Sequence, residues 1–113
     1  MINRILIVGL GSIGKRHLRL TRELLPQAEI GVLRHKVDSI VPEGADFIFA
    51  KMSEALIFSP DLAIIASPAT FHLSAAIQLA EAGVHLLIEK PLSATSEGID
   101  ELAEACRNER VIL

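Results

Sequence analysis

The chain has 113 residues, half of them apolar, a formal charge of −3 and one cysteine, Cys106. That length suits one domain with a real core, and a lone cysteine excludes an internal disulfide or a cysteine-built metal site and suits a reducing cytoplasm. No run approaches the roughly 18 consecutive apolar residues of a membrane span, and the apolar run Ile5–Leu10 is shorter than a signal-peptide core.

In chain order, "RILIVG" is a short apolar run ended by glycine, which predicts a buried parallel strand. From Ser12 to Leu25 a helix is expected, with Ile13, His17, Leu20 and Leu24 on one face and Pro26 as its stop. "AEIGVLR" predicts a second strand, "ADFIFA" a weaker third, and "MSEALIF" a short helix. "DLAIIAS" is a fourth strand halted by Pro68. In the helix that follows, Leu73, Ala76, Ile77 and Ala80 share a face and Gly83 is the C-terminal stop. "VHLLIE" is a fifth strand. A last helix buries Ile99, Leu102, Ala103 and Cys106, with Thr95 or Ser96 as N-cap, and "RVIL" opens a sixth strand.

Strand–helix alternation implies right-handed crossovers: an α/β, doubly wound parallel sheet of about six strands with helices on both faces. Ligands in such sheets bind beyond the carboxyl ends of the strands, where strand order reverses. Gly9–Gly14, Arg34–Lys36, Ser67–His72 and Glu89–Pro91 each follow a predicted strand end, so they are the candidate site.

Charge is unevenly spread. Residues 1–36 hold seven Lys/Arg against two Asp/Glu, a balance of +5; the remainder holds four against twelve, or −8. A basic region around a glycine loop suits a small phosphorylated ligand. A nucleic acid would call for a broader basic face with aromatics. The alternative is a solvated helix face, with Arg19 and Arg22 projecting into water.

"GLGSIGKR" satisfies two phosphate-binding patterns up to a point. A mononucleotide P-loop needs a hydroxyl after its lysine to bind magnesium, and Arg16 stands there, a bulky cation that would repel the metal. The dinucleotide pattern G-x-G-x-x-G is complete. Gly9 permits the tight turn, Gly11 admits a pyrophosphate to the backbone, and Gly14 lets helix and strand pack closely. The amides of Ser12 and Ile13 would point at the pyrophosphate, aided by the helix dipole. Roughly 20 residues on, where an acidic side chain commonly holds the ribose hydroxyls, the chain has Arg34. An arginine can pair with a 2′-phosphate and stack on adenine, which favours NADP(H) over NAD(H). Alternatively Arg34 only stacks and either cofactor binds. His35 beside it is expected to meet adenine or solvent.

With "GLGSIGKRH" near the start and "SPATFHLSAAIQLAEAGVHLLIEKP" in the middle, the sequence resembles the glucose–fructose oxidoreductase / inositol dehydrogenase (Gfo/Idh/MocA) family over nearly its whole length. The resemblance implies that Ser67, Pro68 and His72 line the cofactor past the fourth strand, and that Glu89 and Lys90 sit beside the nicotinamide ribose. It further implies that Lys90 is catalytic, polarising a substrate oxygen; a cation there stabilises the alkoxide-like charge of hydride transfer. Sugar-like or cyclitol-like substrates and a homo-oligomer are expected on the same ground, with no metal, nucleic acid or membrane partner. Family members carry a second domain that shapes the substrate pocket, so residues 1–113 are expected to be a dinucleotide-binding domain cut from a longer protein and inactive alone.

Plainer readings stand beside these. His17 either packs near the glycine loop or touches the ligand, His85 is a packed or edge residue, and Glu89 with Lys90 could form an ordinary exposed ion pair. A non-catalytic dinucleotide sensor is the alternative function, though a sensor has no need of a cation at Lys90.

Overall fold

The computed structural model describes residues 2–34, 41–66, 69–89 and 99–108. Strand β1 (Arg4–Val8) is followed by α1 (Ser12–Leu24), β2 (Glu29–Leu33), β3 (Phe47–Phe49), α2 (Met52–Phe58), β4 (Leu62–Ile65), α3 (Ala69–Glu81), β5 (His85–Ile88) and α4 (Ile99–Asn108). The five strands pair in parallel in the order β3-β2-β1-β4-β5. This is the expected doubly wound α/β sheet. The predicted sixth strand and the N-cap at Thr95 or Ser96 fall outside the described residues.

Central β1 is apolar on both faces because both are covered. Ile5 and Ile7 join Ile30, Val32 and Ile64 under Leu18 of α1. Leu6 and Val8 join Leu33, Ala63, Ile65 and Leu86 under Ala55 of α2, Leu79 of α3 and Leu102 of α4. Each such buried aliphatic side chain contributes about 2 kcal/mol of transfer free energy, which is why the sequence spends its β-branched residues here. In α4, Ala105 is buried with Leu102 and Cys106, whereas Ala103, expected inside, is half-buried.

Helix α1 corrects the sequence expectation. Its buried side is Gly14, Leu18 and Thr21. Ile13 and Leu24, assigned to the inner face, are 45% and 78% exposed, and Leu20 is also exposed. The cause is steric. A Cβ on Gly14 would stand 3.9 Å from the Ala66 Cβ and far closer to the Gly9 backbone. The helix therefore docks through its smallest residue, and that contact sets its rotation over the apolar stripe's preference.

Arg22 is the second correction, since it does not project into water. Its Nε donates to the Gly44 carbonyl at 2.8 Å, and its Nη1 donates to the carbonyls of Pro26 and Ala28 at 3.1 and 2.8 Å. Nη2 reaches Asp46 Oδ2 at 2.7 Å, an oxygen that also accepts the Ile30 N–H at 2.9 Å. One guanidinium thus ties α1 to the approaches of β2 and β3. Arg19 is exposed, as expected.

Candidate functional site

The ladder of the sheet continues one residue past several strand ends. The Gly9 N–H donates to Leu33 O, Ala66 N–H to Val8 O and Arg34 N–H to Phe49 O, each at 2.9 Å, and Glu89 N–H donates to Ile65 O at 3.0 Å. Arg34, Gly9, Ala66 and Glu89 are therefore fixed side by side along one rim, in the order of β2, β1, β4 and β5. Strand order reverses between β1 and β4, where a crevice opens in such sheets.

Three glycines shape the middle of this rim. Gly9 has φ of +92°, a turn that L side chains resist. A Cβ on Gly14 would lie 2.2 Å from the Gly9 carbonyl oxygen, so close packing of helix on loop requires glycine there. A Cβ on Gly11 would meet nothing within 4 Å, so its side of the loop is open space.

Gly11 is the N-cap of α1, and no side chain caps the helix. The Lys15 N–H donates to Gly11 O at 2.9 Å. The amides of Ser12, Ile13 and Gly14 come before that bond and have no acceptor within the helix. Together with the helix dipole, they make a corner that can receive an anion without a side chain in the way.

At the β2 end Arg34 is half-buried. At the β5 end, the His17 imidazole Nε2 meets Glu89 Oε1. Because an ionised carboxylate only accepts, the imidazole is the donor. His17 lies three residues beyond Gly14 on α1, so this contact joins the glycine corner to the β5 end. It answers the two readings of His17 with a third, a contact to another candidate residue.

His72 lies in the first turn of α3. His35, Ser67, Pro68 and Lys90 lie outside the described residues. Among the described residues no group of three or more His, Cys, Asp or Glu comes together that could hold a metal. No described helix is long and apolar enough to cross a membrane.

Among the described residues, the perturbed titrating groups lie away from this rim. Asp46 is held below the usual carboxylate range by the Ile30 amide and then by Arg22. Asp61 is held low by the amides of Asn3 and Arg4. Burial raises the Cys106 thiol, which leaves it an inert core group.

The link between His17 and Glu89 had no signal in the sequence, because 72 positions separate them. Only the spacing of each to a recognisable neighbour, Gly14 or Pro91, marked them individually.

The family model for the oxidoreductase family with an NAD-binding Rossmann fold, Gfo/Idh/MocA, matches residues 3–113. The inositol 2-dehydrogenase of Agrobacterium fabrum is 31% identical over a 112-residue alignment that covers 93% of this chain and 33% of that protein. Among solved structures, the WlbA dehydrogenase of Bordetella pertussis, in complex with NADH and UDP-GlcNAcA, is 26% identical with a TM-score of 0.79 over 97% of this chain and 34% of its own. The UDP-N-acetylglucosamine 3-dehydrogenase GnnA of Acidithiobacillus ferrooxidans is 25% identical with a TM-score of 0.84, over 100% of this chain and 36% of its own. The chain thus spans about a third of the length of these relatives. A glycine corner closed by Gly14, a five-stranded parallel sheet and a match over residues 3–113 agree: the chain belongs to the Gfo/Idh/MocA oxidoreductase family and has its NAD-binding Rossmann fold.

Proposed function

We propose that residues 1–113 are the cofactor-holding domain of an oxidoreductase that moves hydride between a nicotinamide dinucleotide and a sugar-like or cyclitol-like hydroxyl or carbonyl. The observation that carries this reading is the rim itself: Arg34, the Gly9–Gly14 corner and Glu89 stand in one row at the carboxyl ends of the strands. Among the relatives are an inositol 2-dehydrogenase, a UDP-N-acetylglucosamine 3-dehydrogenase and a dehydrogenase in complex with UDP-GlcNAcA, which supports the substrate class. These relatives are about three times as long as this chain, and the task proposed for residues 1–113 is to hold the cofactor.

Each residue then has a task. The amides of Ser12 and Ile13 hold the pyrophosphate, Gly9 and Gly14 keep the corner tight, and Gly11 leaves room for the phosphate oxygens. Arg34 and His35 take the adenosine end; Ser67, Pro68 and His72 line the path beyond β4. Glu89 accepts from the nicotinamide-side ribose. When bound, the nicotinamide supplies the hydride donor or acceptor. Lys90, next in sequence, places a cation at the substrate oxygen and stabilises the charge that develops there.

Within this reading the phosphorylated cofactor, NADP(H), is preferred. An arginine at the second strand end can pair with a 2′-phosphate, whereas an acidic residue would repel it. Titrating the chain with NADPH and NADH by calorimetry tests both levels. Binding of neither sinks the proposal, and tighter binding of NADH removes the role given to Arg34. Arg34→Asp is expected to cut NADPH affinity by about tenfold or more, in line with one lost charge-assisted contact, and to spare NADH.

A further inference from the structure

We propose that His17 is a positioning residue: by holding Glu89, it presents that carboxylate to the nicotinamide-side ribose and couples the pyrophosphate corner to the ribose clamp. The proposal rests on the dinucleotide reading above and deepens it. The backbone of Glu89 is fixed by its bond to Ile65 O, but a glutamate side chain has several rotamers and this one is more than a third exposed. An untethered carboxylate there would lose rotamer freedom whenever a ribose hydroxyl bound to it. The Nε2–H of His17 holds Oε1 in advance, so Oε2 is the carboxylate oxygen left to accept from a ligand hydroxyl.

The donor suits the task. The imidazole has few rotatable bonds, its side chain is only 20% exposed, and α1 is pinned by Gly14 against Gly9. A rigid donor on a pinned helix transmits the position of the glycine corner to the β5 end. Fixing an acceptor in its bound geometry raises affinity by lowering the ordering cost, without any contact from His17 to the ligand.

The test separates the two halves of the cofactor. ADP engages the glycine corner and the β2 end, whereas NADH also engages Glu89. His17→Leu keeps the bulk and removes the donor; His17→Gln keeps a donor. His17→Leu is expected to weaken NADH about tenfold and ADP less than about twofold, and His17→Gln to recover most of the NADH loss. In a Glu89→Ala background, His17→Leu should cost nothing further. Equal losses for ADP and NADH, or a loss that persists without Glu89, would overturn the proposal. The unmutated chain offers a second measurement that depends on no variant. The imidazole nitrogen resonances of His17 should move on adding NADH and stay in place with ADP; resonances unmoved by NADH overturn it too. A wild-type chain that binds neither nucleotide overturns the dinucleotide reading itself, and this inference with it.

Discussion

Gly14 approaches Gly9 so closely that a Cβ at position 14 would lie 2.2 Å from the Gly9 carbonyl oxygen. The obstacle is backbone, so no side-chain rotation relieves it. Gly14→Ala is expected to lower stability by about 2–3 kcal/mol, because helix or loop must move apart. Gly11→Ala is the informative contrast. Its Cβ meets nothing within 4 Å and its φ of −75° is ordinary. That variant should melt within about 1 kcal/mol of wild type, since a small loss at the N-cap offsets a small gain from a stiffer unfolded chain. Yet under the proposed function the added methyl group projects into the space that a phosphate would take, so NADH binding should fall. Thermal unfolding and calorimetry on both variants check this. A Gly11→Ala chain that binds normally would show that the cofactor does not use this corner.

Arg22 serves four acceptors on two segments: the carbonyls of Pro26 and Ala28 before β2, and the Gly44 carbonyl and Asp46 before β3. Truncation leaves the half-buried carbonyls at Gly44 and Ala28 without their donor. Arg22→Ala should cost about 2 kcal/mol in urea unfolding, and Arg22→Lys should recover only part, because an ammonium cannot fork across the set. If Arg22→Lys unfolds at the wild-type midpoint, the planar geometry is irrelevant and only the charge matters.

Asp46 and Asp61 contribute to the acid response of the fold. Both have folded values below the ordinary carboxylate value, through the Ile30 amide and Arg22 for the first and the Asn3 and Arg4 amides for the second. The folded state therefore binds fewer protons than the unfolded state. Their stabilisation is complete above the unfolded value near pH ~4 and disappears as pH falls through the folded values. The urea midpoint should be level from about pH 7 to 5 and decline below about pH 4. Asp61→Asn keeps an acceptor for the two amides but cannot titrate, so its decline should be shallower. An unchanged slope would exclude Asp61 as a contributor.

Gly31 lies beneath an aromatic cluster. A Cβ there would be 2.6 Å from Phe49 Cε2 and 3.3 Å from Phe58 Cε2, and the rings of Phe49 and Phe58 pack with centroids 5.4 Å apart. Gly31→Ala should destabilise by about 1–2 kcal/mol as the rings shift. Phe49→Leu, which withdraws the nearest ring edge, should make the second substitution cheaper, so the double mutant falls short of additivity. Strict additivity in urea denaturation would show that the two sites do not press on each other.

The alternation of strands and helices, the glycine corner and the strand ends that carry Arg34 and Glu89 were all legible in the sequence. They depend on short-range regularities: an apolar run closed by glycine, a period of about 3.6 residues, and a Gly-x-Gly-x-x-Gly spacing with a distinct steric task at each glycine. Such patterns survive translation from chain to fold because near neighbours dictate them.

The rotation of α1, the work of Arg22 and the contact of His17 with Glu89 were decided only on folding. Hydrophobic periodicity favours the Ile13–Leu20–Leu24 stripe as the inner face, but it carries no term for the Gly9 backbone that Gly14 must meet. Arg22 reads as one more solvated cation until Gly44 and Asp46 arrive from beyond β2. His17 and Glu89 stand 72 positions apart, and the parallel sheet, with β1 beside β4 and β4 beside β5, is what brings their segments to one rim. Local sterics wrote the elements into the sequence. Contacts between distant segments, which no local pattern encodes, determined how the site is held.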